Sequence, residues 1–423
     1  MKYSVITFGC RVNQADSLGF EEDLLAAGAQ TVAPDEADLV VINTCSVTAT
    51  ADQGARQTIR RIARDNPGAG IVVTGCYATR AAHEVRALPG VVRVVPNDEK
   101  SRLVRILRTD EPTTRERFGD GDGACGAAIE PGVAGRTAFT LRVQTGCAEA
   151  CSYCIIPATR GAPRSIGVDE ALREIERAAC AGFKEIALTG VHLGSYGRDL
   201  SPRTSLCELL SALDRWVTST SRDLLFRISS LEPMDCSTEI VDLVASSRVF
   251  APHFHLPLQH ASDRVLSSMR RPYTRSQYAE LVDRIRRQMP NASIGTDIIV
   301  GFPSEADEDF ERLAAYLERS PLTHLHVFPY SDRPDTAASQ MKGRVPGAVV
   351  RERARLIREI GQRLTHAFRD AQVGSVHRAL TLDDGAMAVT GNYIKVSIPP
   401  GRTRNEWVRL RIASHHHGEL LAG

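Results

Sequence analysis

Three cysteines stand in the short run Gln144-Thr145-Gly146-Cys147-Ala148-Glu149-Ala150-Cys151-Ser152-Tyr153-Cys154, spaced Cys-x-x-x-Cys-x-x-Cys. No other feature constrains this chain as much. Three thiolates on one short loop can hold three corners of a [4Fe-4S] cluster, because cluster irons bind cysteine sulfur and a tight loop keeps the sulfurs close. The fourth iron then lacks a protein ligand and is open to a small molecule. A structural zinc site is the competing use, but it takes four nitrogen or sulfur ligands, often from paired Cys-x-x-Cys units. This loop offers three thiols and has no histidine close by in sequence. A disulfide is disfavoured in a chain that opens without a signal peptide.

The surrounding chain has 423 residues, enough for two to three domains and a large buried core. Lys and Arg number 52 against 51 Asp and Glu, a net charge of +1. Overall charge therefore gives no nucleic-acid signal, and any basic surface must be local. The opening Met1-Lys2-Tyr3-Ser4-Val5-Ile6-Thr7-Phe8 is too short and too mixed for a secretory signal. No apolar run approaches the roughly 18 residues of a membrane span. The expectation is a soluble cytoplasmic protein with no membrane part. In that reducing setting the ten cysteines are ligands or buried small side chains rather than disulfides.

Before the cysteine loop, short apolar runs alternate with helical stretches. Tyr3–Phe8, Leu39–Asn43 and Gly70–Thr74 read as strands, and about Ala15–Ala27 and Ala51–Ala63 as helices. This rhythm predicts a small doubly wound α/β domain with a parallel sheet over residues 1–110. Cys10, Cys45 and Cys76 each follow one of the three strands. Strand carboxyl ends share one edge of such a sheet, so three distant thiols would converge there as a second three-cysteine iron–sulfur site. Three unrelated buried cysteines are the bland alternative. Residues 111–135 read as a linker, with Asp120-Gly121-Asp122-Gly123 and Glu130-Pro131-Gly132 as turn chemistry and Cys125 incidental.

From Thr137 onward about six strand–helix units follow in series. Strands are predicted at Ala138–Val143, Glu185–Thr189, Leu224–Ser229, His253–Leu258, Ser293–Val300 and His324–Tyr330. Helices are expected at Val168–Ala181, Cys236–Ala245, Tyr278–Gln288 and Phe310–Leu317. The pattern predicts a partial TIM barrel over 136–345, with its chemistry at the carboxyl ends of the strands. Gly190, Arg227, Gln259 and Gly301 stand at such ends, where a ligand needs small or polar groups. Each also has a structural reading: Gly301-Phe302-Pro303 fits a plain turn, and Gln259 a core amide.

A helix over about Ala348–Arg369, within a connecting segment 346–371, has one apolar face of Ile357, Ile360 and Leu364 and is otherwise rich in arginine. Residues 372–423 read as a small β-barrel and tail, with strands at Val376–Leu382, Met387–Thr390, Tyr393–Ile398 and Trp407–Ile412. Asn392, Tyr393 and Lys395 could offer aromatic and basic groups to single-stranded nucleic acid. His415-His416-His417 has no partner ligands in sequence and reads as a solvated tail.

Several stretches together resemble the methylthiotransferase family of radical S-adenosylmethionine (SAM) enzymes, over nearly the whole chain. Phe8-Gly9-Cys10-Arg11-Val12-Asn13-Gln14, Asn43-Thr44-Cys45-Ser46-Val47-Thr48 and Gly75-Cys76-Tyr77 are similar to the family's N-terminal cluster domain. Cys147, Cys151 and Cys154 with Arg160-Gly161 resemble its radical-SAM core, and the last strands its RNA-binding TRAM barrel. Leu188-Thr189-Gly190-Val191-His192-Leu193-Gly194-Ser195-Tyr196-Gly197 and Arg227-Ile228-Ser229-Ser230-Leu231-Glu232-Pro233 are most similar to the bacterial branch that acts on N6-threonylcarbamoyladenosine in tRNA. Leu256-Pro257-Leu258-Gln259-His260-Ala261-Ser262 looks more like the branch that methylthiolates a ribosomal-protein aspartate, and the barrel strands carry few basic residues.

The resemblance implies a methylthio group added to C2 of that adenosine at tRNA position 37, with isopentenyladenosine or the ribosomal-protein aspartate as alternative substrates. It implies SAM and two [4Fe-4S] clusters, one on the catalytic Cys147, Cys151 and Cys154 and one on Cys10, Cys45 and Cys76. It implies a SAM pocket including Gly190, Arg227, Gln259 and Gly301. Its partners would be a tRNA anticodon arm, gripped by the C-terminal barrel and the arginine-rich helix, a low-potential electron donor and a sulfur source.

Overall fold

Strand Leu39–Thr44 is buried at all six positions, as a strand covered on both faces by helices must be. It forms the centre of a five-stranded parallel sheet in the computed structural model, which describes residues 1–107, 131, 137–382, 385–416 and 419–422. Lys2–Thr7 and Gly70–Gly75 flank it, with Gln30–Thr31 and Val91–Val95 at the edges. Neither edge strand was expected: the first is too short to carry a pattern, and the second precedes a helix of only five residues, Leu103–Leu107. The expected linker and Cys125 lie outside the described residues, apart from Pro131.

Six parallel strands make the central barrel: Phe139–Arg142, Glu185–Thr189, Leu225–Ile228, His253–His255, Ser293–Val300 and His324–Pro329. They form two three-stranded sheets joined by bridges from Phe226 to Phe250 and from Ser230 to His255. The helix Leu206–Thr220 is an addition to the sequence reading. Its signals were present: Leu206, Leu209, Leu210, Leu213 and Val217 are its buried stripe, and Ser205 with Glu208 forms a capping box at its start.

The N-terminal domain docks over the carboxyl ends of the barrel strands. Asp52 accepts from Arg80 in its own domain at 2.7 Å and from Arg333 beyond the last barrel strand at 2.6 Å. Asp16 binds Lys100 at 2.7 Å and also pairs with Arg142 and Arg160 of the barrel. At the opposite end, a closed barrel runs Val376–Leu382, Met387–Thr390, Lys395–Ser397, Glu419–Ala422, Trp407–His416 and back to the first. It docks on residues just before the central strands: Asn405 donates to the Gly182 carbonyl at 2.7 Å, Asn392 to that of Asn291 at 2.8 Å, and Arg378 pairs with Asp223.

Three expectations for the C-terminal part are corrected by this packing. His415 and His416 end a paired strand, and His415 Nδ1 lies 2.6 Å from Asp370 Oδ1; the strand Glu419–Ala422, absent from the sequence reading, pairs beside them. Asn392 is buried between two domains, whereas Tyr393, whose ring lies against Arg227 of the central barrel, and Lys395 both stay exposed. On the helix Gly347–Asp370, Arg353 is buried against Glu305 and Asp307, while Arg355 pairs with Glu352 and Glu359. With Arg363 paired to Glu318, three of the six arginines on this helix are neutralised, and Arg351 and Arg358 stay exposed. No described helix is long and apolar enough to cross a membrane.

Candidate active site

The loop carrying Cys147, Cys151 and Cys154 is clamped at its base by a small antiparallel pair, Gln144–Thr145 with Arg164–Ser165. Gly146 sits at φ 75°, and a Cβ there would collide with the Ala162 carbonyl oxygen. Gln144 is the loop's internal brace. Its Nε2 donates to the carbonyls of Thr145 and Gly146, both at 2.9 Å, and its Oε1 accepts from the His192 N–H at 2.8 Å.

Each sulfur of this group has a donor aimed at it. Glu149 N–H points at Cys147 Sγ at 3.4 Å, Ile156 N–H at Cys154 Sγ at 3.4 Å, and the Arg271 guanidinium at Cys151 Sγ at 3.2 Å. Arg271 is itself fixed by Glu232 and by Tyr273 at 3.1 Å. Burial pushes the Cys147 thiol up to about 11 and the Cys154 thiol up to about 12. Half-buried thiols with an N–H donor aimed at each suit anionic sulfur bound to iron, so the donor set fits a cluster.

The second group forms at the carboxyl edge of the N-terminal sheet. Thr44 pairs with Gly75, so Cys45 and Cys76 leave adjacent strands side by side. Cys10 caps the helix Arg11–Ala26 without a side-chain hydrogen bond of its own. Gly9, at φ 96°, lets that turn close over Cys45, whose Sγ a Cβ at residue 9 would meet at 2.9 Å. Val47 N–H points at Cys45 Sγ at 3.5 Å and Asn97 Nδ2 at Cys76 Sγ at 3.7 Å. Burial raises the Cys45 thiol to about 12; burial would raise Cys76 too, but Arg160 and Lys100 bring it below its usual value. Thiols beside a helix N-terminus, N–H donors and buried cations again fit cluster ligation.

Helix Ile156–Arg160 links the two groups. It begins with the N–H that serves Cys154, and it ends with Arg160, whose charge acts on Cys76 and Cys45. Asn97 bridges from Cys76 Sγ to the Thr159 carbonyl at 2.8 Å.

The four other candidate residues do not share one environment. Gly190 lies against Gln144, where a Cβ would stand 3.1 Å from Oε1. Gln259 holds a left-handed φ of 67° and exchanges backbone hydrogen bonds with Asp297 and Ile299 at 2.9 and 2.8 Å. Arg227 is fully buried in a two-pronged pair with Glu185, at 2.8 and 3.1 Å, with its guanidinium over the Tyr393 ring at 4.5 Å. Gly301 donates to Glu305 at 2.8 Å, and a Cβ on it would collide with Val350 of the long helix. Gly190 thus stands by the cysteine loop and Gln259 at a strand end, Arg227 links the barrel interior to the C-terminal barrel, and Gly301 packs against the long helix.

Sequence reasoning missed the histidines inside the barrel. His255 Nε2 and His326 Nδ1 lie 3.0 and 3.2 Å from one oxygen of Asp297, with His253 and His324 stacked nearby. Period-2 spacing within His253–His255 and within His324–Pro329 puts each pair on one strand face, and this was the available signal. Neighbouring imidazoles here titrate in opposite directions. Burial holds His324 down to about 4, whereas the hydrogen bond to Asp297 raises His326 above 6.5. Histidine NMR titrations should show His326 protonating first as pH falls, with His324 following near 4. Unfolded chain takes up a proton at residue 324 that the fold refuses, so this site lowers stability as pH falls from about 6.5 toward 4. His326 acts oppositely: its contribution is full below the unfolded value and is lost as pH rises through the raised one.

Residues 2–96 match the family described as Uncharacterized protein family UPF0004, and residues 141–317 the Radical SAM superfamily. The chain is 37% identical over 403 residues to threonylcarbamoyladenosine tRNA methylthiotransferase MtaB of Aquifex aeolicus, covering 94% of this chain and 96% of that one. It is 34% identical to the protein of the same name from Bacillus subtilis, across 86% and 80% of the two chains. It is 32% identical to tRNA-2-methylthio-N(6)-dimethylallyladenosine synthase of Carboxydothermus hydrogenoformans, across 89% and 87%. Among solved structures, the radical SAM methyltransferase TsrM from Kitasatospora setae, with cobalamin and a [4Fe-4S] cluster bound, superposes with a TM-score of 0.55 at 15% identity, over 80% of this chain and 76% of that one. That likeness shows the fold.

Proposed function

Because the chain belongs to the radical-SAM methylthiotransferase family, we propose that it adds a methylthio group to C2 of N6-threonylcarbamoyladenosine in tRNA. The observation that carries this reading is the placement of two three-cysteine groups on either side of helix Ile156–Arg160, because sulfur transfer to an unactivated ring carbon needs both. The choice of base is supported by the relatives that share most of the chain's length.

When bound, SAM and the two clusters would supply a hydrogen-abstracting radical, a methyl group and an open iron at which an external sulfur species is held for methylation and transfer. Cys147, Cys151 and Cys154 hold one cluster, and Cys10, Cys45 and Cys76 the other. Gln144 fixes the central loop, and Arg271 holds Cys151 in place while pairing with Glu232. Gly190 and Gln259 border the SAM pocket. Asp16, with Lys100, Arg142 and Arg160, seats the N-terminal domain over the barrel mouth and excludes water from it. The target base, just 3′ of the anticodon, lies in a single-stranded loop and can enter the mouth without breaking a duplex. Lys395 on the C-terminal barrel, with exposed Arg351 and Arg358 on the long helix, contacts the anticodon arm. The electron donor and the sulfur come from outside the chain.

Mass spectrometry of tRNA nucleosides from cells lacking the gene, with and without the chain restored, tests this reading. Loss and recovery of the methylthio form of threonylcarbamoyladenosine is expected. An unchanged tRNA profile with a methylthio mass on a ribosomal protein would contradict it.

A further inference from the structure

We infer that Arg11, positioned by Tyr393, reads the carboxylate of the substrate's threonylcarbamoyl group and thereby selects that base over one carrying an apolar dimethylallyl group. This rests on the substrate reading above and adds a residue and a chemistry to it. Arg11 directly follows Cys10, so its guanidinium stands where the N-terminal domain meets the barrel interior. Its Nη1 reaches Ser229 Oγ at 3.4 Å and its Nη2 reaches Tyr393 Oη at 3.1 Å, both neutral hydroxyls.

Other arginines around this interior are already matched: Arg227 by Glu185, Arg160 and Arg142 by Asp16, Arg271 by Glu232, and Arg333 by Asp52. Arg11 has no acidic side chain within ion-pair distance among the described residues. Tyr393 is held in a left-handed conformation at φ 66°, with its ring centre 4.5 Å from the Arg227 guanidinium, 5.6 Å from that of Arg11 and 5.0 Å from the His253 ring. It stays 47% exposed, so this corner is open to an incoming group.

An unmatched guanidinium with a planar donor fork suits a carboxylate. Threonylcarbamoyl carries one, whereas dimethylallyl carries only carbon and would strip water from the cation without replacing it. The two relatives named for these two bases show that the family makes the distinction.

The test uses the full chain with both clusters reconstituted and three anticodon stem-loop RNAs, identical except at the target base. One bears the threonylcarbamoyl acid, one its methyl ester and one dimethylallyl. Dissociation constants are measured together with methylthiolation. Wild type is expected to bind the acid at least about tenfold more tightly than the ester. Arg11→Gln should bind both at the ester's level with its iron content retained, and Tyr393→Phe, remote from the cysteines, should narrow the gap. An unchanged acid-to-ester ratio in Arg11→Gln, or equal weakening for all three RNAs as a phosphate contact would give, overturns the inference. Should Arg11→Gln lose iron, an unchanged ratio in Tyr393→Phe overturns it as well. Wild type that turns over the acid without preferring it sinks only this inference, whereas wild type that fails to methylthiolate the acid sinks the substrate reading with it.

Discussion

Cys76→Ala should abolish methylthio transfer while leaving reductive cleavage of SAM within a few-fold of wild type. Cys76 stands on the N-terminal sheet, with Asn97, Lys100 and Arg160 around it. The loop of Cys147, Cys151 and Cys154 is held by a separate set: the Gly146 turn, the Gln144 brace and Arg271. Losing Cys76 removes one of three thiols from one group and none from the other. A fall in product of at least about 1,000-fold corresponds to roughly 4 kcal/mol of lost transition-state stabilisation. Liquid chromatography with mass spectrometry measures 5′-deoxyadenosine and the modified nucleoside in the same reaction. If both products fall in parallel, the two cysteine groups do not have the separable roles assigned to them.

Arg227→Met carries the largest expected effect on stability. Its guanidinium has no solvent exposure and binds Glu185 through two prongs, so truncation leaves a buried carboxylate without its partner. Breaking such a pair from one side costs about 3–5 kcal/mol. The same change removes the donor to the Gly391 carbonyl at 3.0 Å and the cation under Tyr393, so the docking of the C-terminal barrel should loosen too. Adding Glu185→Gln to Arg227→Met should recover much of the loss, because the stranded charge is gone. Denaturant titration of the three chains measures both effects. Unchanged stability in Arg227→Met with SAM cleavage lost would instead favour a SAM-binding role for Arg227 over this structural one.

That outcome bears on how much of the site was legible in the sequence. The grouping of the cysteines was readable because it depends on spacing within one loop and on position at strand ends, and strand ends follow from apolar periodicity. Arg227 and Gly301 were singled out by the same positional rule, but a strand end does not say which way a side chain's partners lie. Glu185 is 42 residues away from Arg227, and Val350 comes from a helix outside the barrel. The histidines around Asp297 went unnoticed because they lie on two strands about 70 residues apart in sequence, and neither strand's own pattern says that the two meet across a third. In the fold, the short edge strands and Glu419–Ala422 escaped because two to five residues carry too little periodicity. Helix Leu206–Thr220 had a full apolar stripe and a capping box, and could have been read.

Iron stoichiometry with Mössbauer spectroscopy on the anaerobically reconstituted chain tests the two-site account most directly. About eight irons per chain are expected, all in [4Fe-4S] form, falling to about four when Cys10, Cys45 and Cys76 are replaced together and to about four when Cys147, Cys151 and Cys154 are. A wild-type chain holding only about four irons, or a single triple replacement that empties both sites, would contradict it.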